Sequence, residues 1–155
     1  MAQQLWLLRH GEAVPHDLKP DFDRELTDHG REQSRAAGRA LRALEVEVHL
    51  CFTSPKVRAR ETAGLACAEI GVEPVVEESL AERFDGHEAL ALLAAAGRDQ
   101  RVLVVGHEPD FSQVVYDLTG GRVDVKKAGI AAVRLDGSRG ELIALMRPRE
   151  LARIR

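Results

Sequence analysis

The residues best suited to chemistry follow directly on an apolar run near the start of the sequence. Residues 5–8 are apolar without interruption, which is typical of a strand buried on both faces of a parallel sheet. The run stops at Arg9 and His10, and Gly11 then lets the backbone turn sharply or approach a ligand closely. Because open α/β sheets bind ligands beyond the carboxyl ends of their strands, this pattern indicates a binding or catalytic site. An ordinary turn that carries two polar residues would show the same pattern.

Two later segments repeat this arrangement of a buried strand that ends at a polar side chain. Residues 48–53 end at Ser54, and the helix expected to follow carries Arg58 in its first turn. His107 lies just beyond the apolar run of residues 101–105. Parallel strands point their carboxyl ends at one edge of the sheet, so two arginines and two histidines would meet in one crevice. Helix N–H groups near Ser54 and the planar fork of arginine both suit phosphate, so we expect a small dianion to bind there.

Two histidines also raise the question of a metal site. The sequence contains no His-x-x-x-His pair, and Arg9 and Arg58 would repel a divalent cation. Cys51 and Cys67 share no metal-like spacing with the histidines and are expected to be buried, reduced thiols. We therefore predict neither a metal nor another cofactor.

These residues need a framework that brings the strand ends together. Apolar runs alternate with helical patterns through most of the chain, which predicts a single domain over residues 1–155 with an α/β fold. We expect three layers, αβα, with a mostly parallel central sheet and a C-terminal antiparallel hairpin at its edge. The predicted strands are residues 3–8, 48–53, 72–76 and 101–105, with hairpin strands at 130–135 and 142–146, and the predicted helices are 28–44, 55–70, 87–96 and 109–118.

Local signals predict where the first helices begin and where a functional loop lies. Thr27 and Ser54 are expected to cap the first two helices. The polar loop of residues 12–26 is longer than is usual in a compact domain, and such loops often serve a site. Its acids and His16 either contact a substrate protein or are simply solvated.

Composition limits the classes of partner. The net charge of −3 over 155 residues does not suggest a nucleic-acid-binding protein. No apolar run approaches the roughly 18 residues of a membrane span, and the first residues lack the basic and apolar regions of a signal peptide. We therefore expect a cytoplasmic protein without a nucleic-acid or membrane partner.

Three segments together resemble the histidine phosphatase superfamily, which also contains the cofactor-dependent phosphoglycerate mutases. They are LRHGE at residues 8–12, SPKVRARETA at 54–63 and GHEP at 106–109. The short chain, the VGHEPD run at 105–110 and KKAG at 126–129 look like the small SixA-type phosphohistidine phosphatases of that superfamily. The resemblance covers almost the whole chain, and it implies a phosphoglycerate mutase-like fold.

The resemblance also implies a role for each residue of the crevice. His10 would be the nucleophile, whose imidazole attacks phosphorus to form a phosphohistidine intermediate that water then cleaves. That attack requires a neutral ring with one free nitrogen, so a backbone carbonyl near the Gly11 turn would hold the proton of the other nitrogen. Arg9, Arg58 and His107, with Gly11 at the turn, would bind the phosphoryl oxygens and offset charge during transfer.

The sequence leaves the general acid open. The segment 80–88 faintly resembles the acid-bearing segment of the superfamily, and Glu82 lies in a polar loop that could overhang the pocket. Glu82 is therefore either a candidate general acid or a solvated loop charge. An alkoxide leaving group would need such an acid, whereas the imidazole of a phosphohistidine leaves readily once its ring is protonated.

Three functions remain open, and two of them are enzymatic. The resemblance implies a metal-independent phosphatase whose substrate is phosphohistidine on a protein, such as a phosphotransfer domain or a phosphocarrier in signal transduction. The first alternative is a small-molecule phosphomonoesterase of the same superfamily with Glu82 as its acid. The second is a non-catalytic phosphate-sensing or phosphoprotein-binding domain, which the intact arginines and histidines of the crevice disfavour because a binder needs no nucleophile.

Overall fold

The computed structural model describes residues 2–155 and contains helices and strands that alternate along most of the chain. In chain order the elements are β1 (Gln3–Arg9), α1 (Asp28–Ala43), β2 (Leu50–Thr53), α2 (Val57–Ile70), β3 (Pro74–Val76), α3 (Gly86–Ala94), β4 (Arg101–Gly106), α4 (Asp110–Thr119), β5 (Ile130–Asp136), β6 (Arg139–Met146) and α5 (Pro148–Leu151). Two short 3-10 turns, Asp21–Asp23 and Glu78–Leu80, lie in the loops after β1 and β3. Among these described residues, no helix is long and apolar enough to cross a membrane.

The strands form one six-stranded sheet in the order β3-β2-β4-β1-β5-β6. The four strands from β1 to β4 run parallel, whereas β5 runs antiparallel to β1 and pairs with β6 as an antiparallel hairpin. The hairpin leaves β6 at one edge of the sheet. The predicted α/β fold, with a mostly parallel sheet and a C-terminal edge hairpin, is therefore confirmed.

The register of the three central parallel strands brings their carboxyl ends together. β1 ends at Arg9, which lies opposite Gly106 at the end of β4. The last residue of β2, Thr53, lies opposite Val105 of β4. The residues that follow these strands therefore leave the sheet at one edge, as the sequence pattern predicted.

Helices cover the sheet on both faces, and alternate residues of β1 show this directly. Leu5 and Leu7 pack in the apolar cluster that contains residues of α3 and α4. Trp6 and Leu8 pack in the cluster that contains residues of α1, α2 and α5. All four side chains are buried, because β1 is a central strand with a helical layer against each of its faces.

The start of α2 differs from the prediction. Ser54 was expected to cap a helix beginning at residue 55, but α2 begins at Val57, and Lys56 before it makes no side-chain cap. The predicted start is wrong because Ser54 lies in the turn before α2, where its hydroxyl accepts the N–H of Lys56 at 3.2 Å and also lies 2.8 Å from His107 Nε2. By contrast, Thr27 caps α1 as predicted, since its side chain accepts a backbone N–H of the first turn at 3.0 Å.

The two cysteines have no special chemistry in this fold. Cys51 on β2 and Cys67 on α2 are buried and both thiols are free, as predicted. Within the described part of the chain, no group of three or more histidine, cysteine, aspartate or glutamate side chains could hold a metal ion.

Candidate active site

His10 stands immediately beyond β1, with only 6% of its surface exposed. Its backbone N–H donates to Gly106 O at 3.0 Å, which joins it to the end of β4. Its ring Nδ1 lies 2.7 Å from Gly11 O, and because a carbonyl oxygen only accepts, Nδ1 must carry the ring proton. The lone pair of Nε2 is therefore available, as a nucleophile requires, and Arg58 Nε donates to it at 3.3 Å.

Burial keeps this ring uncharged. It lowers the pKa of His10 to about 3, although the hydrogen bond to Gly11 opposes the shift. The nearby charges of Arg58, Arg9 and Lys127 lower the pKa further. At neutral pH the imidazole is therefore neutral, which is the form that can attack phosphorus.

The turn at Gly11 is held between the first two helices. Its N–H donates to Thr62 Oγ1 at 3.1 Å, and that hydroxyl donates to Arg58 O at 2.8 Å. A Cβ at position 11 would lie 2.6 Å from Gly30 O, so only glycine lets the turn approach α1 this closely. Because its N–H is directed at Thr62, Gly11 is better suited to positioning His10 than to the predicted contact with phosphate.

Arg58 lies in the first turn of α2 and is 6% exposed. While Nε points at His10, the far side of the guanidinium faces the loop after β1. There Nη1 donates to Asp21 O at 2.7 Å, and Nη2 lies 3.4 Å from Asp21 Oδ2. The side chain is thus fixed between the candidate nucleophile and a loop, so its Nε–H is held ready for an anion beside His10.

Arg9 and His107 each contribute a buried polar atom that has no hydrogen-bond partner among residues 2–155. Arg9 Nη1 donates to Val125 O at 3.0 Å, but Arg9 Nε is unpartnered. The ring of His107 lies 5.3 Å from that of His10, centroid to centroid, and its Nδ1 is unpartnered. An unsatisfied buried group costs on the order of 1–3 kcal/mol, so two of them beside one histidine indicate a site whose ligand supplies the acceptors.

The ring proton of His107 is placed by Ser54. Ser54 Oγ lies 2.8 Å from His107 Nε2, and it also accepts the backbone N–H of Lys56 at 3.2 Å. The hydroxyl proton is therefore free to be donated to Nε2, and we assign the ring proton to Nδ1, the unpartnered atom. Burial first, and then the charges of neighbours that include Arg58, lower the pKa of His107 to about 2, so this ring is also neutral.

Asp21 belongs to the site, although its surroundings in the sequence predict only a polar loop. Besides Arg58, its carboxylate contacts Lys56 Nζ at 3.0 Å and Arg24 Nη1 at 3.1 Å. Burial favours a higher pKa for Asp21, but the hydrogen bonds and charges of these three cations outweigh it and hold the pKa well below its usual range. Loop length is the only sequence signal for this contact, since nothing in the composition shows that the loop folds back onto α2.

Glu82 lies outside the hydrogen-bonded cluster. It is exposed in the turn after Glu78–Leu80, and no hydrogen bond within residues 2–155 joins it to the two histidines or the two arginines. Its loop is attached to α4, because Phe84 N donates to Asp110 Oδ2 at 3.1 Å. The pKa of Asp110 is raised chiefly by burial, with a smaller contribution from neighbouring acids that include Glu82. Glu82 thus stands beside the start of α4, and its role as an acid remains a prediction.

The charges around the site favour an anion. Arg9 and Arg58 flank the histidines, and Lys127 adds a further positive charge felt at His10. Lys127 is brought there by the turn before β5, where Ala128 N donates to both Arg9 O and His10 O at 3.0 Å. The structure therefore brings together four of the five predicted catalytic residues, Arg9, His10, Arg58 and His107, and adds Ser54 and Asp21 to them.

The chain is similar to known proteins in sequence and in fold. Residues 5–89 match the sequence profile of the histidine phosphatase superfamily, branch 1. The chain therefore belongs to the histidine phosphatase superfamily. An uncharacterised protein of Picosynechococcus sp. is 35% identical over 162 residues, in an alignment that covers 96% of this chain and 98% of that protein.

Two further comparisons differ in how much of each chain they cover. A 2,3-bisphosphoglycerate-dependent phosphoglycerate mutase of Methylobacterium sp. is 39% identical over 93 residues, which is 56% of this chain and 44% of the mutase. The chain thus spans less than half the length of that mutase. The solved structure of the protein histidine phosphatase SixA complexed with tungstate superposes with a TM-score of 0.87 at 28% identity, and the match covers 96% of this chain and 99% of that one.

Proposed function

We propose that this protein is a phosphatase that hydrolyses phosphohistidine on a signalling or phosphocarrier protein, through a covalent phosphohistidine on His10. The observation that carries the proposal is the 2.7 Å contact from His10 Nδ1 to Gly11 O, which leaves Nε2 as the nucleophile. Similarity to SixA over nearly the whole of both chains supports the same chemistry. On this proposal residues 1–155 act as one domain without a metal or other cofactor, in the cytoplasm.

The first step transfers the phosphoryl group to His10. Nε2 attacks phosphorus and forms a new P–N bond, while the P–N bond of the substrate breaks. The substrate imidazole, already protonated at its other nitrogen, leaves as a neutral ring with the electron pair of the broken bond. Phosphorylation leaves the His10 ring positively charged, and Gly11 O offsets that charge by accepting the Nδ1 proton.

Three donors would hold the phosphoryl oxygens during this transfer. Arg9 Nε and His107 Nδ1 are buried and have no other partner in the described chain. Arg58 Nε, which donates to His10 Nε2, would shift its hydrogen bond to a phosphoryl oxygen as the new P–N bond forms. SixA forms a complex with tungstate, a tetrahedral oxyanion like phosphate, and this similarity supports an oxyanion as the ligand here. Such positioning and charge stabilisation carry most of the catalysis in phosphoryl transfer.

Water completes the reaction at the same phosphorus. As water attacks, the P–Nε2 bond breaks, its electron pair returns to Nε2, and the proton of the water is released with the phosphate. His10 is thereby restored as a neutral ring with its proton on Nδ1. Neither step requires a strong general acid, because the leaving group is an imidazole in both of them.

A small-molecule phosphomonoesterase is the second candidate function. It is favoured by the position of Glu82, which lies exposed on a loop fixed to α4 rather than on a free segment. An ester would need that carboxyl group to protonate its alkoxide. A phosphate-sensing or phosphoprotein-binding domain is supported less well, since binding alone gives no reason to keep Nε2 of His10 unprotonated.

The decisive experiment compares two substrates in excess chelator. They are a phosphotransfer domain phosphorylated on histidine and a simple aryl phosphate, each with the native chain and with His10→Ala. We expect phosphate release to be far faster from the phosphoprotein, and to disappear in the variant. Faster ester hydrolysis would favour the small-molecule enzyme, and Glu82→Gln should then slow it. Phosphate binding without cleavage of either substrate would leave only the sensing domain.

A further inference from the structure

The loop between β1 and α1 forms a fixed structure beside the site, and we call residues 13–26 the arm. Its two ends are joined, because Val14 N donates to Glu25 O at 2.9 Å and Ala13 forms an antiparallel bridge with Leu26. Arg24 is buried within the arm and donates from Nε to Val14 O at 2.7 Å. These internal bonds hold the arm together as a compact loop whose ends are joined.

The arm is also attached to the catalytic residues. Asp21 O lies 2.7 Å from Arg58 Nη1, and Arg58 Nε lies 3.3 Å from His10 Nε2. Two contacts therefore lead from the arm to the nucleophile. Phe22 follows Asp21 directly, in the 3-10 turn that packs on α2, so its backbone is one residue away from the contact with Arg58.

Two large apolar side chains of the arm are exposed to solvent. Leu18 is 66% exposed and Phe22 is 47% exposed, whereas none of the other phenylalanines in residues 2–155 is exposed. A small phosphate gains nothing from apolar groups in this place. Exposed apolar and aromatic side chains on a rigid element beside a functional site are typical of a protein interface.

The two cationic side chains of the arm, Lys19 and Arg24, are already paired within the molecule. Lys19 pairs with Glu25, and Arg24 pairs with Asp21, which also pairs with Lys56 of the neighbouring segment. Paired surface charges attract a partner only weakly. The arm therefore offers a partner apolar area rather than an open cationic surface.

We propose that Leu18 and Phe22 dock the protein that carries the phosphohistidine, by contacting an apolar surface around its phosphorylated side chain. The proposal rests on the proposed function and explains how a protein substrate would be preferred over free phosphohistidine. Leu18 lies three residues before Asp21 in the chain. It belongs to a turn that is closed by a hydrogen bond from its own N–H to Pro15 O at 3.2 Å. A partner that covers both side chains must therefore extend well beyond the phosphoryl group, as a folded protein does.

The test uses a double variant, Leu18→Ser with Phe22→Ser, and Leu145→Ser as a matched control. Leu145 is 46% exposed, close to the value for Phe22, but lies on the edge strand β6. The kcat/KM is measured for a histidine-phosphorylated phosphotransfer domain and for free phosphohistidine. We expect the double variant to lose about 10-fold or more on the phosphoprotein, mainly through KM, and less than about twofold on free phosphohistidine. Leu145→Ser should change neither.

Several results would overturn the docking proposal, and they differ from failure of the proposed function. An equal loss on both substrates would mean that the arm only positions Arg58, and no loss on either would remove any role in recognition. A loss confined to free phosphohistidine would assign Phe22 to stacking on a small aromatic substrate. A native chain that cleaves neither phosphohistidine substrate would refute the proposed function, and the docking surface with it.

Discussion

His10 and His107 lie with their ring centroids 5.3 Å apart, and each ring makes a hydrogen bond through one of its nitrogens. Gly11 O holds the proton of His10 on Nδ1 and leaves Nε2 to attack. In the tautomer that we assign to His107, the Ser54 hydroxyl donates its proton to Nε2. The ring proton of His107 then lies on Nδ1, where it can be donated to a phosphoryl oxygen. Two identical neutral side chains thus acquire opposite roles, one as a nucleophile and one as a donor, from the partners that the fold gives them.

The role of Ser54 can be tested by Ser54→Ala. Without the hydroxyl, the His107 ring can take either tautomer, so we expect kcat/KM to fall about 10-fold, or ~1.4 kcal/mol, which is typical of one lost hydrogen bond. Nitrogen NMR shifts of the ring should change from one protonated Nδ1 to a mixture. Ser54→Thr keeps the hydroxyl and should restore most of the activity. An unprotonated Nδ1 in the native chain would contradict the assignment.

Arg58 is tested by Arg58→Ala, which removes the donor nearest to the nucleophile. We expect kcat to fall about 100- to 1,000-fold, or ~3–4 kcal/mol, as for the loss of one preorganised donor to a transition state. Single-turnover release of phosphate measures this, and thermal unfolding checks that the fold survives. Arg58→Lys keeps the charge without the planar fork and should recover only part of the rate. Near-normal turnover in Arg58→Ala would exclude Arg58 from the catalytic set.

At the scale of elements, the site depends on how closely α1 packs on α2, because both helices hold the Gly11 turn. Two glycines of this helix pair have opposite surroundings. A Cβ on Gly38 of α1 would collide with the backbone oxygen of Ala66 in α2, whereas a Cβ on Gly64 of α2 would meet nothing within 4 Å. Gly38 is therefore needed for close packing, and Gly64 only weakens its own helix.

The two alanine variants should accordingly change stability in opposite directions. Gly38→Ala forces the helices apart and should cost ~1–3 kcal/mol of unfolding free energy, as overpacking does. Gly64→Ala should add up to ~1 kcal/mol, since alanine favours a helix over glycine by about that amount. Urea unfolding of both variants gives the comparison. A shift of both in the same direction would show that backbone preference, and not the α1–α2 contact, controls position 38.

The sequence predicted these elements well where hydrophobic patterns are strong and less well at their ends. β1, β4 and β5 lie where the apolar runs predict them, whereas β6 begins at Arg139, three residues earlier than predicted. β2 and β3 begin two residues later than predicted, at Leu50 and Pro74. Val48 and Val72 pack against the apolar core without joining the strand ladders, so their hydrophobicity overstates the length of each strand.

In the candidate site too, the residues that follow strands could be predicted from the sequence, and the contacts made through loops could not. Arg9, His10, Arg58 and His107 could be grouped because the edge of a parallel sheet collects whatever follows its strands. The contacts of Ser54 with His107 and of Asp21 with Arg58 could not be predicted in this way. Ser54 meets a ring 53 residues away, and Asp21 meets a guanidinium 37 residues away, through loops whose course has no local signal in the sequence.

At the scale of the whole molecule, two buried neutral histidines make folding depend on pH. The ordinary histidine pKa of 6.5 falls to about 3 in His10 and about 2 in His107, in both cases chiefly because of burial. Below pH 6.5 the unfolded chain therefore binds two protons that the folded chain does not. The stability contributed by these rings is complete above that pH and is lost as the pH falls toward the folded values.

This predicts a drop in stability well above the pH at which most carboxylates titrate. At pH 5.5 each buried ring should cost ~1.4 kcal/mol relative to pH 7.5, so the pair should cost ~3 kcal/mol. Urea unfolding at the two pH values measures the difference. His107→Gln removes one of the two buried rings and should halve the drop. Asp21 also stabilises the fold, because its pKa is depressed in the folded chain. That stabilisation is lost only below the ordinary pKa range of aspartate, so it does not affect this comparison. A native chain equally stable at pH 7.5 and 5.5 would mean that the rings gain protons inside the fold, and a neutral His10 would then need another cause than burial.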